Sequence, residues 1–428
     1  MFRVDRSIYL DARLYAAEVE AFFEKGWVFL CHESQIRNSG DYYSTHFGRQ
    51  PVFVARTRDG QLKGFINACA HRASILTPRR SGNAKAYICR FHGWVFDADG
   101  KCLKVTGEEH GGYPYDGPCR EQFRLTPLAH VESYRGFVFG SLVVDVPSLK
   151  EHLGGAHAFI DMFADQSPVG LEVVPGSSTY VCHHNWKLQV ENVPDGYHVP
   201  IVHRNFASTT LRREDKGGYE GLMKTEKGRM QGGVKTGCYD LGRGHMVIWA
   251  DRASPEAAPL SASAPEVEAR VGAKRAEWML RRGRNLIVFP NLVLNDLAST
   301  HLRTMRPLGP ELTEITIWCI APIGEPRAAR IARLRKFEDF FLVTGMATSD
   351  DVVSLDLAHA GSRGRAARWN EFTRGLDTLI EGPDALALEL GISPQSSNRS
   401  WDHETPYIGF YRYWRDQLIH NITSAAAI

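Results

Sequence analysis

Residues 66–96, INACAHRASILTPRRSGNAKAYICRFHGWVF, contain two short Cys/His pairs, Cys69-x-His71 and Cys89-x-x-His92, with seventeen residues between them. Each pair follows a stretch of strand character, so each is read as a loop at a strand end. Two such loops side by side would gather two thiols and two imidazoles. That is a four-ligand metal set.

Two Cys and two His also satisfy a tetrahedral zinc ion. Zinc fingers usually keep both Cys in one pair and both His in the other, whereas each pair here is mixed. Mixed pairs suit a Rieske [2Fe-2S] cluster, which has thiolates on one iron and imidazoles on the other. His in place of Cys raises its reduction potential above that of an all-thiolate cluster. Cys69, His71, Cys89 and His92 are therefore the expected cluster ligands.

Outward from the pairs, the texture is short strands and turns. PVFVARTRDGQLKGFINAC reads as two strands about an Asp59-Gly60 turn, AYICRFHGWVFDADGKCLKV as two more about Asp99-Gly100, and YRGFVFGSL as another. Upstream, residues 11–25 form an expected amphipathic helix capped by Asp11. Downstream of residue 150, helices and strands mix. RNLIVFPNLVLND, STHLRTMRP and ELTEITIWCIAPIG read as strands. RIARLRKFEDFFLVTG reads as a long helix, and Ser349 as the cap of the next one. RASPEAAPLSASAPEVE, residues 252–268, lacks periodicity and reads as a surface loop. The expected class is α+β, with 1–39 a helical segment packing on the catalytic domain, 40–155 a β domain and 156–428 the catalytic domain. No internal repeat is visible.

The whole chain has 428 residues, enough for two cores. Its 51 basic and 49 acidic side chains leave almost no net charge, which argues against nucleic acid as a partner. The charged N-terminus does not read as a signal peptide, and no stretch reaches the roughly eighteen apolar residues of a membrane span. The eight scattered cysteines are no disulfide scaffold. A cytoplasmic, soluble protein is expected.

A second constellation is Glu191-Asn192-Val193-Pro194-Asp195-Gly196-Tyr197-His198, with His203 beyond it. On an ideal helix the five residues from His198 to His203 turn about 500°, leaving the imidazoles about 140° apart. Pro200 is the expected break that brings them together. An oxygen-activating iron adds one carboxylate and keeps positions open. Glu191, Asp195, Asp350, Asp351 and Asp356 are all candidates by spacing.

With these residues, and with GDYYSTHFGRQPVFVAR, SYRGFVFGSL, NWKLQVENVPDGYH, KRAEWMLRRGRNL and FEDFFLVTGMATSDD, nearly the whole chain resembles the large (alpha) subunit of aromatic-ring-hydroxylating dioxygenases. The benzoate and anthranilate branch is the best match, with salicylate hydroxylases and cumate dioxygenases nearby. The resemblance implies a Rieske domain inserted near the N-terminus of a helix-grip, START-like catalytic domain. It implies a mononuclear non-haem Fe(II) on His198, His203 and Asp351. It makes Asp195 the bridge between that site and the Rieske histidine of a neighbouring subunit, and sets Asn192 beside the iron. It also implies small beta subunits in an alpha3beta3 assembly, O2 as co-substrate, and NAD(P)H electrons delivered by a reductase, directly or through a ferredoxin. Ala73 departs from the family, which often has Gly two residues after the first cluster histidine.

The implied substrate is an aromatic carboxylate. Its natural partner is a buried Arg, whose planar fork matches two oxygens. Arg303, on an expected strand, is the candidate, and Phe341 aligns with a pocket aromatic of the family. Tyr197 is read either as hydrogen-bonding in the site or as packing in the core. The rival functions are a Rieske monooxygenase or O-demethylase, an electron carrier without catalytic iron, and a zinc module.

Overall fold

The computed structural model describes residues 1–111, 122–212, 234–252 and 254–425; Cys119 lies outside them. Two compact units emerge, Phe22–Leu149 and a larger one joining Met1–Ala21 to Lys150–Ile428. Among the described residues no helix is long and apolar enough to cross a membrane.

The smaller unit is built from antiparallel sheets. One has the order Leu62–Ile66, Gln50–Arg56, Asp41–Phe47, Ser81–Asn83. A second has the order His130–Tyr134, Phe137–Ser141, Val28–His32. That last pairing draws in residues ahead of the expected boundary at 40. Asp59-Gly60 makes the expected turn, with Gly60 at φ 84°. Around Asp99-Gly100 there are three short strands rather than two, Tyr87–Ile88, Val95–Phe96 and Cys102–Lys104, because the Cys89–His92 loop interrupts the first. At that turn the Asp97 carboxylate accepts from Asp99 N and Lys101 N. Tyr42, Phe53, Phe65, Tyr87, Trp94 and Phe96 form the core beneath the two Cys/His loops.

The larger unit carries a ten-stranded antiparallel sheet. Its central run is Leu312–Pro322, His301–Gly309, Leu292–Asn295, Arg282–Val288, His245–Asp251 and Thr236–Gly242. The helix Arg327–Phe341 packs Phe337 and Phe341 onto Ile317 and Cys319 of the sheet. Two sequence expectations are corrected here. Ser349 does not cap the helix Thr348–Ser362; the chain turns in at Ala347, so the Ser349 hydroxyl bonds back to Gly345 O at 3.2 Å. Residues 252–268 are not a plain surface loop. Their prolines fall in the first turns of Pro255–Ala257, Pro259–Ser263 and Ala264–Val271, where a missing N–H costs nothing, and Leu260 and Val267 are buried.

The N-terminal helix is capped by Asp11 as expected, but is α only over Ala12–Glu18 and continues as a π-turn, Val19–Glu24. It ends in the anchor of the larger unit. Glu18 and Lys187 are both fully buried, and Lys187 Nζ lies 2.7 and 2.8 Å from the two carboxylate oxygens. Trp186 Nε1 and Trp414 Nε1 donate to the same carboxylate at 3.0 and 2.9 Å. Three chain segments thus meet on one charge, at the head of the helix Trp186–Asn192 that leads to the second constellation.

Removing one member of such a pair strands a buried charge, at a cost of about 3–5 kcal/mol. Lys187→Met alone is expected to lose that much in urea unfolding of the larger unit. The double variant Glu18→Gln/Lys187→Met should recover part of it, since neither side chain is then charged and the one amide oxygen of Gln still accepts from one of the two indoles.

Candidate metal centres

The two Cys/His loops have one backbone design. Cys69 N donates to Ser74 O at 2.9 Å and Ala73 N to Cys69 O at 2.9 Å; in the other loop Cys89 N donates to Trp94 O at 2.8 Å and Gly93 N to Cys89 O at 2.9 Å. The fourth residue after each Cys is left-handed, Ala73 at φ 54° and Gly93 at φ 70°. Ala73 therefore holds a conformation that costs a residue with Cβ about 1–2 kcal/mol. This is what the departure from Gly means physically.

Both sulfurs are buried while His71 is exposed and His92 half-buried, the two rings lying 4.5 Å apart between centroids. Trp94 stacks on His71 at 4.8 Å and 8°. Burial raises the Cys69 thiol. Burial also works to raise Cys89, but hydrogen bonds from His92 N and Phe91 N, with help from Cys69 and Ser74, bring it below the usual thiol value. Inner thiolates wrapped in N–H donors with imidazoles at the rim suit a Rieske cluster. They place sulfur on the buried side and nitrogen on the accessible one.

In the larger unit, His198 and His203 flank one helical turn, Val199–Val202. Pro200 is not the break that its sequence position suggested. It sits in the first turn, where proline is tolerated, and the chain departs from helix at His203, φ −92° and ψ 19°. The outcome is nevertheless convergence. His198 Nε2 lies 3.2 Å from His203 Nε2 and 3.4 Å from Asp351 Oδ1, and His203 Nε2 lies 3.3 Å from the same oxygen.

A triangle of that size has its centre about 1.9 Å from each corner, close to the roughly 2.0–2.2 Å of metal bonds to nitrogen and oxygen. Two His and one carboxylate are the donor set of a non-haem iron site, which keeps its remaining positions for other ligands. Of the candidate acids, the geometry selects Asp351. Asp356 instead pairs with His184 at 2.6 Å, and Glu191 with Tyr9 and Tyr411.

Asp195 stands behind His198. Its Oδ1 accepts from Tyr197 N and His198 N at 2.8 and 3.2 Å, and its Oδ2 lies 3.2 Å from His198 Nδ1. Burial opposes a charge on both imidazoles and leaves His203 below its ordinary value. His198, facing Asp195 on one nitrogen and Asp351 on the other, is lifted to about 10 against the same burial. Burial would raise Asp351 too, yet His203, His198 and Arg303 hold it below the usual carboxylate range.

Asn192 Nδ2 reaches Asp351 at 3.5 Å. Arg303 and Phe341 are both buried. Tyr197 is not brought into this group: it is exposed, with the Arg374 guanidinium 4.0 Å from its ring centroid.

Two neighbours escaped the sequence reading. Phe340 packs on the His203 ring at 5.3 Å, and His301 lies 4.1 Å from the Phe341 ring with neither nitrogen hydrogen-bonded. The available signal for His301 was its place two residues before Arg303 on a strand, which puts both on one face.

A family model described as the ring hydroxylating alpha subunit (catalytic domain) matches residues 172–418, and one described as the Rieske [2Fe-2S] domain matches 26–129. The chain is 44% identical over 420 residues to the alpha subunit of toluate 1,2-dioxygenase from Pseudomonas putida, covering 98% of this chain and 91% of that one. It is 36% identical over 434 residues to the anthranilate 1,2-dioxygenase large subunit of Acinetobacter baylyi, covering 100% and 91%. The structure of naphthalene 1,2-dioxygenase from Rhodococcus sp. bound to indole superposes with TM-score 0.82 at 24% identity, covering 97% and 94%. At that identity the likeness speaks for the fold alone.

Asp351→Ala removes one corner of the triangle and none of the cluster loops. Iron analysis should fall from about three to about two per chain while the red-brown absorbance of the cluster persists.

Proposed function

The chain belongs to the ring-hydroxylating oxygenase alpha subunits, and from that premise we propose that it dihydroxylates an aromatic carboxylic acid of the benzoate, anthranilate or salicylate type. The family carries a Rieske cluster and a mononuclear iron. Cys69, His71, Cys89 and His92 are assigned to the first, and His198, His203 and Asp351 to the second. Bound there, the cluster supplies electrons singly and the iron supplies dioxygen activation. The balance of the reaction is one O2, two electrons and two protons added across two adjacent ring carbons.

The residues around the triangle have separable tasks in this reading. Asp195 fixes the orientation of His198 by tying one oxygen to backbone N–H groups and turning the other to the imidazole. Its side chain is 30% exposed, which leaves it open to a cluster presented by a neighbouring subunit. Asn192 steadies the oxygen that Asp351 shares with both imidazoles. Phe340 and Phe341, 4.6 Å apart, form an apolar wall suited to a ring. Small beta subunits complete an alpha3beta3 assembly, and a reductase drawing on NAD(P)H, directly or through a ferredoxin, completes the electron supply.

The observation that carries the substrate class is Arg303. It is 8% exposed, its Nε has no hydrogen-bond partner, and no ion pair joins it to a carboxylate among the described residues. It nevertheless lies near enough to Asp351 to influence its charge. A buried, unpaired guanidinium is costly, and a bidentate carboxylate from the substrate would satisfy it.

Arg303→Ala is expected to raise KM for the preferred aromatic acid about ten- to hundredfold, the equivalent of a charge-assisted hydrogen bond, at unchanged iron content. Unchanged affinity for every acid in a panel would refute the role of Arg303. With labelled dioxygen, both atoms should appear in the product; one labelled atom would instead support a monooxygenase.

A further inference from the structure

The larger unit has a cleft that the metal triangle does not account for. It lies where Arg252, just beyond the strand His245–Asp251, and Leu260, of the proline-rich segment, meet the helix Arg327–Phe341. Arg333 and Lys336 line it from the helix, and Asp296 and Thr300 from the connection between two strands of the sheet. It holds about 410 Å³ of empty space and is partly open to solvent, so it can pass a ligand rather than seal one.

The lining has three cationic side chains and a single carboxylate, and that carboxylate is already engaged. Asp296 receives the Arg284 guanidinium on both oxygens, with Arg252 Nη2 3.7 Å away. Glu325 neutralises Arg333 from outside the cleft, at 2.9 Å. Arg252 Nε is buried without a hydrogen-bond partner. Burial, and the cations Arg252 and Arg333 beside it, push the Lys336 ammonium down to about 8. The cleft therefore carries an excess of positive charge, which an arriving anion relieves.

Both walls of the cleft lead to the metal triangle. Lys336 stands one helical turn before Phe340, which packs on the His203 ring at 5.3 Å. Thr300 is three residues before Arg303, about 10 Å of extended chain. An anion held here is thus close to the apolar wall and to the guanidinium assigned to the substrate.

We infer that the cleft is a docking station for the aromatic carboxylate on its way to Arg303, with Lys336 and Arg252 as the charges that receive it. The inference rests on the proposed aromatic-acid substrate. A station outside the final seat lowers the barrier to arrival and to departure alike. It therefore sets rates, and leaves the equilibrium affinity to Arg303. Charges with that duty act on the association rate and its salt dependence.

The test follows benzoate, anthranilate and salicylate binding to the complete oxygenase by stopped-flow tryptophan fluorescence, with Kd from equilibrium dialysis. For an acid that binds, Lys336→Met should slow association and dissociation together, about five- to tenfold at low salt, at unchanged Kd. Raised salt should close most of that gap. Lys336→Arg, which keeps the charge, should stay near the unmodified rates. So should Arg335→Met, the same loss of charge at an exposed position of the helix.

Unchanged rates for Lys336→Met, or equal slowing by Arg335→Met, would overturn the inference. So would a raised Kd at an unchanged association rate, which would make Lys336 part of the final seat. Unmodified oxygenase that binds none of the three acids would instead refute the aromatic-acid reading itself.

Discussion

Asp195 divides its carboxylate between two duties, and the larger unit's centre depends on the division. One oxygen holds the backbone N–H groups of Tyr197 and His198, fixing the chain where it enters the short helix. The other faces His198 Nδ1, so that Nε2 points at His203 and Asp351. A negative group on the far nitrogen also makes an imidazole a more basic ligand. The same contact explains why two buried histidines in one triangle differ in charge preference: only His198 has a carboxylate on each side.

The triangle requires a rigid platform, and most of the unit's buried polar chemistry supplies one. Asn185 caps the helix through Lys187 N and also donates to Tyr9 O and Pro310 O. Glu18 gathers Lys187 and two indoles. Glu191 is held by the hydroxyls of Tyr9 and Tyr411, with its carbonyl held by Tyr407. Burial pushes the Glu191 carboxyl up to about 7 against those donors. Each contact ties the helix to a distant segment. The helix that leads to His198 and His203 is therefore held by contacts of its own.

The cluster site was legible in the sequence because its ligands are local. A Cys and a His two or three residues apart share one loop whatever the rest of the chain does. The second site was legible only in part. Spacing suggested that His198 and His203 needed a break between them, but Pro200 misled, because proline in a first turn starts a helix. Choosing Asp351 over Asp350 or Asp356 required either the family resemblance or the fold, since helix phase decides which acid faces inward. Residues 252–268 failed for the same reason as Pro200, being proline-rich at helix starts. Phe340 was invisible because only the packing of Arg327–Phe341 brings it to the site, and His301 had only its strand phase with Arg303 to mark it.

On this reading one chain holds two different iron centres, an electron-accepting one in the smaller unit and an oxygen-activating one in the larger. Anomalous diffraction from anaerobic crystals, recorded on both sides of the iron absorption edge, addresses it most directly. The expected map has a two-iron peak enclosed by Cys69, His71, Cys89 and His92, and a single-iron peak between His198, His203 and Asp351. Iron at the first position with nothing at the second, or a signal at the zinc edge between the loops, would contradict it.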